Sequence, residues 1–265
     1  MKTERNTVLI TGATSGIGLE IANVFAEKKY NLFLVSRNQD NLNNIKMKLE
    51  NLYGVDVKIM SIDLAMPLSA RKLFDETLHQ KIEIDILVNN AGFGLHGEHT
   101  DLDMRKVGEM IQLNVITLTE LCALFGNEMK KKRKGYILNI ASSAAYQPTP
   151  YIAVYGATKS YVLNFSEALA KELEDFNVVV TCLSPGATDT NFLNVAGLGN
   201  AKGIWAKSAL MKPREVAEIG VNAMFAKKLS LIAGILNSFL AFTNRLAPRT
   251  ICAIISKKII KQATS

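Results

Sequence analysis

Cysteine is scarce in this 265-residue chain: Cys122, Cys182 and Cys252 are odd in number, widely spaced and without a Cys-x-x-Cys pair. That excludes a disulfide or zinc framework and predicts reduced, mostly buried thiols in a cytoplasmic protein. Long apolar runs are missing too. The stretch from Leu229 to Phe242 has 14 residues and is interrupted by Ser230, Asn237 and Ser238, short of the ~20 a spanning helix needs. The start, "MKTERNTVLITG", carries three apolar residues before its glycine. That is too few for a signal-peptide core, and it reads as a first strand.

Acidic residues are absent after Glu218, whereas Lys227, Lys228, Arg245, Arg249, Lys257, Lys258 and Lys261 follow it. Removing those seven from the 31 basic residues leaves 24 against 24 acidic ones in residues 1–218, so the net charge of +7 belongs to the tail. A neutral body argues against a nucleic-acid-binding protein. There is also no repeat, low-complexity run or internal domain break, and 48% hydrophobic residues suffice for one sizeable core.

What is present alternates. Short β-branched runs ("TVLIT", "NLFLVS", "VKIMS", "IDILVNN", "GYILNIAS", "VVVTCLS") precede longer amphipathic segments. This pattern predicts an α/β fold, a parallel sheet of about seven strands with helices on both faces. Residues 187–212, with Gly197, Gly199 and Gly203, form the longest irregular stretch and predict a lid or binding loop. Residues 1–234 read as the catalytic domain. Residues 235–265 read as an apolar, basic extension of two short helices on either side of Pro248.

Between strand one and helix one lies "TGATSGIG". Gly12, Gly16 and Gly18 let the backbone turn tightly and approach a pyrophosphate. Thr14, Ser15 and Ile17 share that turn, and the helix N-terminus supplies N–H groups. Strand two ends in Ser36 and Arg37, where an acidic residue would accept a bond from the 2′-hydroxyl of NAD. A guanidinium and a hydroxyl suit a 2′-phosphate, which predicts NADP(H) in preference to NAD(H). Further on, "VYGATKS" puts Tyr155 and Lys159 one helical turn apart on one face. A lysine ammonium there favours phenolate and would bring the tyrosine down from its ordinary value near 10. Tyr155 could then pass a proton to a carbonyl oxygen.

The glycine turn, "NNAG" at 89–92, Ser142 thirteen residues before Tyr-x-x-x-Lys, and "PG" at 185–186 occur in order. Together they resemble the short-chain dehydrogenase/reductase family from about residue 5 to about 225. The resemblance implies a single Rossmann-type, doubly wound sheet and a catalytic set of Asn114, Ser142, Tyr155 and Lys159. It implies that Asp63, with Leu64, binds the adenine, that Asn90, Ala91 and Gly92 flank the adenosine ribose, and that Pro185, Gly186 and Thr188 meet the nicotinamide. Lys159 would also hold the nicotinamide ribose, and Asn114 would hold a water linking that lysine to solvent. The ending departs from the frequent "ITG…VDGG" form and is similar to the branch with steroid-dehydrogenase-like and long-chain acyl-type reductases.

Phe93, Leu95, Ala144, Ala145, Tyr151, Phe192 and Trp205 are expected to line a mostly apolar substrate pocket. The expectation is an NADP(H)-dependent oxidoreductase (EC 1.1.1.-) interconverting a hydrophobic ketone or aldehyde and its alcohol. The alternatives are a 3-oxoacyl-thioester reductase and a non-catalytic NADPH-binding regulator. The family implies a homodimer or homotetramer through the helices near Asn114 and Tyr155. The tail has two readings, a cap on the substrate cleft or subunit interface, and a peripheral contact with an anionic membrane. "HGEH", with His96 and His99, is not His-Glu-x-x-His and lacks further ligands, so no metal is expected. "KKKRK" at 130–134 reads as a solvated helix end.

Overall fold

In the computed structural model, residues 6–198 and 210–264 are described. The apolar runs become Thr7–Thr11 (β1), Asn31–Ser36 (β2), Val57–Ser61 (β3), Ile86–Asn89 (β4), Gly135–Ile140 (β5), Val178–Ser184 (β6) and Ser230–Ile232 (β7). They form one parallel sheet in the order β3-β2-β1-β4-β5-β6-β7. The helices are Gly16–Glu27 (α1), Gln39–Tyr53 (α2), Ser69–His79 (α3), Met104–Ile111 (α4), Leu118–Lys132 (α5), Ala153–Leu173 (α6), Phe192–Val195 (α7), Pro213–Phe225 (α8), Ile235–Leu246 (α9) and Arg249–Thr264 (α10).

Alternation along each strand divides the core into two layers. Val8, Ile10, Leu32 and Leu34 pack against Ile21 and Phe25 of α1, Leu42 of α2 and Val221 of α8. Leu9, Phe33 and Val35 pack on the opposite face against Leu73 of α3, Phe125 of α5 and Val162 of α6. Arg214 ties α8 to α1 by donating from Nη1 and Nη2 to the two carboxylate oxygens of Glu27, at 2.7 and 2.6 Å. Cys122 and Cys182 lie in the core, where burial pushes both thiols up to about 12.

Residues 104–132 form one continuous rod, α4 and α5 joined by a π turn at Gln112–Thr117. Among the described residues this is the helix long and apolar enough to cross a membrane. Its Leu118, Leu121, Cys122 and Phe125 are instead packed into the sheet core. The basic run at its end is absorbed locally. Lys130 lies over the Phe176 ring, Lys131 pairs with Glu128, Lys132 with Glu83 and Lys134 with Asp85.

Strand order reverses between β1 and β4, and in such sheets ligands bind in the crevice beyond the carboxyl ends of the strands there. The loop after β6 leaves from the same end. Its stem is closed by a parallel bridge between Thr188 and Met211, with Asp189 N–H donating to Met211 O and Met211 N–H to Ala187 O.

Candidate active site

The first turn owes its shape to residues without a Cβ. Gly12 and Gly16 have φ of +65° and +54°, values that favour glycine. A methyl group on Gly18 would strike the Gly12 carbonyl oxygen and Asn90 Nδ2, so α1 can sit this close to the turn only with glycine there. Asn90 Nδ2 donates to the carbonyl oxygens of Thr11 and Gly12 at 3.0 and 3.1 Å, and Thr11 Oγ1 accepts from the N–H groups of Asn90 and Ala91. Ser15, which precedes α1, makes no capping bond, and the first turn of α1 holds no acidic residue. Its orphan N–H groups and positive end remain available to an anion. Ser36 Oγ and Thr14 Oγ1 are 2.8 Å apart. Arg37 is exposed at the strand end, and Asp40 falls in the first turn of α2.

The residues expected to be catalytic converge from three elements: the turn after β5, α6 and the π turn. Ser142 lies two residues beyond β5 and precedes a 3-10 turn at Ser143–Tyr146; its Oγ accepts from Ala144 N–H at 3.1 Å. Lys159 is buried and donates from Nζ to Ile140 O at 2.8 Å, 5.9 Å from the centre of the Tyr155 ring. Asn114 is buried inside the π turn, a feature common at functional sites. Its Oδ1 accepts from Phe93 N–H, and its Nδ2 donates to Phe93 O and Thr158 Oγ1. Asn114 therefore clamps the segment after β4 that carries Gly92, where an added methyl would lie 2.9 Å from Asn114 Oδ1 and 3.4 Å from Lys159 Nζ.

The electrostatics differ from the sequence expectation. Burial dominates among the protein's own groups: it pushes Tyr155 up to about 12, with Ser142 pulling it back partway. It also lowers Lys159 to about 8, against an opposing pull from Cys182. The ammonium faces the Ile140 carbonyl, so the expected depression of the tyrosine by the lysine is outweighed by desolvation.

One cavity of about 990 Å³ joins these parts. On the side expected to hold the dinucleotide it is lined by Gly12, Thr14, Ser15, Gly16, Ile17, Ser36, Arg37, Asp63, Leu64, Asn90, Ala91 and Gly92, and Pro185, Gly186 and Thr188 line it as well. Gly18 lies behind the turn. Of the expected substrate residues, Phe93, Ala144 and Phe192 form wall, and the Phe192 ring centre is 5.3 Å from that of Tyr155. Three others are corrections. Ala145, half-buried, packs against the sheet core instead. Tyr151, with left-handed backbone (φ 68°), faces the His96 ring, and its carbonyl oxygen accepts from Gly97 N–H. Leu95 is half-buried away from the wall. Trp205 lies outside the described residues.

The opposite wall comes from the tail, for which a cap on the substrate cleft was one of two expectations. Leu236, Leu240 and Thr243 of α9 and Cys252, Ile255 and Ile259 of α10 line the cavity, so the tail caps the cleft. Asn237 packs on Gly186 and donates to Ala233 O at 2.9 Å; Asn244 donates to Gln147 Oε1 at 3.0 Å. The available signal was the pair Asn237 and Asn244, seven apart and therefore on one helical face. Thr190 was missed: its Cγ2 is 2.9 Å from where a Gly16 Cβ would stand, so the base of the loop after β6 touches the glycine turn. His96 Nε2 is buried without a partner, and burial holds this imidazole below the usual histidine range. His99 is exposed in a separate 3-10 turn, and no cluster of three metal-ligating side chains occurs among the described residues.

A glycine cradle, an uncapped helix end and an adjoining long cavity fit a dinucleotide with a substrate beside it. The short chain dehydrogenase family profile matches residues 6–199. The chain is 28% identical to a 7beta-hydroxysteroid dehydrogenase of Mediterraneibacter gnavus, over 85% of each chain. It is 33% identical to a very-long-chain 3-oxoacyl-CoA reductase of Pyrenophora tritici-repentis, over 66% of this chain and 52% of that longer relative. A solved short-chain dehydrogenase from Sphingobium yanoikuyae in complex with NADPH superposes with a TM-score of 0.81 at 29% identity, covering 91% of this chain and 93% of that one. With profile, strand order and ordered motifs in agreement, the chain belongs to the short-chain dehydrogenase/reductase family, oxidoreductases acting between CH–OH and C=O.

Proposed function

We propose that this protein is an NADP(H)-dependent reductase of a hydrophobic ketone or aldehyde. One observation carries the reading: Tyr155 and Ser142 line the same cavity as the glycine cradle, where it is walled by Phe93, Phe192, Leu236 and Leu240. Arg37 is the one arginine lining the cavity among the described residues, and it lies on the dinucleotide side. The substrate end therefore has no guanidinium clamp for a carboxylate, and it favours a neutral apolar molecule.

Gly12, Gly16 and the N-terminus of α1 would hold the pyrophosphate, Asp63 the adenine, and Asn90 to Gly92 the adenosine ribose. Pro185, Gly186 and Thr188 would meet the nicotinamide end. Ser36 and Arg37 would take a 2′-phosphate, and the NADPH-bound relative supports that preference. When bound, NADPH supplies the hydride. Ser142 orients the carbonyl oxygen, and Tyr155, protonated far above neutral pH, donates its proton to that oxygen. Lys159 would bind the nicotinamide ribose and draw the phenol proton outward through its charge. Asn114 holds the Phe93 backbone, and with it the floor at Gly92.

A second reading, a 3-oxoacyl-thioester reductase, is favoured by the acyl-CoA reductase relative. We place the enzyme in the cytoplasm as a homodimer or homotetramer; Ile111 and Ile116 of the long rod and Tyr161 of α6 are large, exposed and suited to that interface. The test is oxidation of NADPH and NADH with aliphatic, aryl and steroid ketones and a 3-oxoacyl thioester. Turnover with NADPH should fall by about 10³-fold in Tyr155→Phe. NADPH binding with a background rate indifferent to Tyr155→Phe would favour a non-catalytic regulator.

A further inference from the structure

The two tail helices carry a surface that the cavity does not use. In α9, Ile235, Phe239, Phe242 and Leu246 recur at i, i+4, i+7 and i+11, which puts them in a single stripe. All four point away from the body, 59–91% exposed. The next face of the same helix carries Leu236 and Leu240, which line the cavity and are also exposed. On α10, Ile255 and Ile259 do the same, while Ile251, Ile254, Lys257 and Lys258 face outward. The cavity mouth therefore opens within an apolar surface, and that surface lies in a segment with five basic residues and no acidic one.

We infer that α9 and α10 dock on an anionic phospholipid bilayer, with the cavity mouth against the lipid, so that a lipophilic carbonyl compound enters from the membrane. This rests on the reductase reading for the substrate but not for the docking. Apolar stripes of this kind, flanked by lysines, bury in the headgroup boundary and gain from anionic lipid. A contiguous exposed apolar patch marks an interaction surface. A second copy of the chain is the poorer occupant. Two-fold pairing through this face would bring like patches together, and the tail offers no carboxylate to meet the partner's lysines.

The experiment is flotation of the full chain with phosphatidylcholine vesicles, with and without phosphatidylserine. The expected result is binding to the anionic vesicles and little to the neutral ones, weakened by salt. Lys257→Gln with Lys258→Gln should lower partitioning roughly 30-fold, at ~1 kcal/mol for each charge. Phe239→Ser with Phe242→Ser should lower it by more than about tenfold while leaving turnover of a water-soluble ketone unchanged, since neither ring lines the cavity. Turnover of a vesicle-borne ketone should fall in parallel. Full-length protein that stays unbound on anionic vesicles overturns the proposal. So does unchanged binding by the phenylalanine variant, or sedimentation showing that the stripe joins two copies while vesicles recover none. Vesicle binding without turnover of any ketone would sustain the docking and count against the reductase reading alone.

Discussion

The two walls of the cavity are built on different principles. The dinucleotide wall is held by backbone: Asn90 bonded to two carbonyls of the turn, Asn114 to both polar atoms of Phe93, and glycines where a methyl would collide. The tail wall is made of apolar side chains on two helices, fastened to the body by Asn237 on Gly186 and Asn244 on Gln147. A backbone-held wall admits one ligand shape, because moving any part breaks several buried hydrogen bonds at once. A side-chain wall can be repacked at modest cost. On the proposed function, cofactor choice would reside in the first wall and substrate choice in the second.

Four measurements can break or sharpen that contrast. Gly18→Ala should be the most damaging, because the methyl meets a carbonyl oxygen and an amide nitrogen. A cost of about 3 kcal/mol corresponds to roughly 150-fold weaker NADPH binding in a fluorescence titration. Gly108→Ala, with nothing within 4 Å of the added methyl, is its control and should leave affinity unchanged. Equal effects of the two would remove the argument from close approach. Arg37→Asp should shift the NADPH/NADH ratio of kcat/KM toward NADH by about 2 kcal/mol, roughly 30-fold. A ratio that does not move would assign the 2′-phosphate to other residues.

The pH profile comes third. Tyr155 keeps its proton until about 12, so it does not limit reduction near neutrality. Lys159 is charged below about 8 and loses its charge as pH rises through that value. Reduction should hold a plateau below that pH and drop about tenfold per unit above it, whereas a first fall near 10 would tie the profile to an ordinary tyrosine or lysine. The smallest effect belongs to the tail. Asn244→Ala removes one bond to Gln147 at a cost of about 1 kcal/mol, expected as a roughly fivefold higher KM for bulky ketones with unchanged NADPH affinity. A change in NADPH affinity of the same size would show that the two walls are coupled.

The placing of Tyr155 and Lys159 on one helix was legible because their spacing is local. Tyr155 and Lys159 share a helical face, and the glycines at 12, 16 and 18 announce positive φ and close approach. The β-branched runs gave away the parallel sheet for the same reason, since burial on both faces leaves little room for polar residues. The balance of pKa values was not legible: one helical turn suggests mutual influence, but the direction depends on burial and on the Ile140 carbonyl. Nor was the π turn at Asn114, which no residue type marks. The substrate wall failed for a related reason. Tyr151 and Ala145 stand near the site along the chain, yet a left-handed backbone turns one toward His96 and the sheet core claims the other.

The sequence by itself determined the layered sheet, the glycine turn and the placing of Tyr155 and Lys159 on one helix, because each depends on local periodicity or on the steric freedom of a few residues. Only the tertiary structure decided which face of the tail closes the cavity and which is left bare. An amphipathic helix carries its stripes wherever it goes, and what each stripe meets is set by where the rest of the chain leaves room for it.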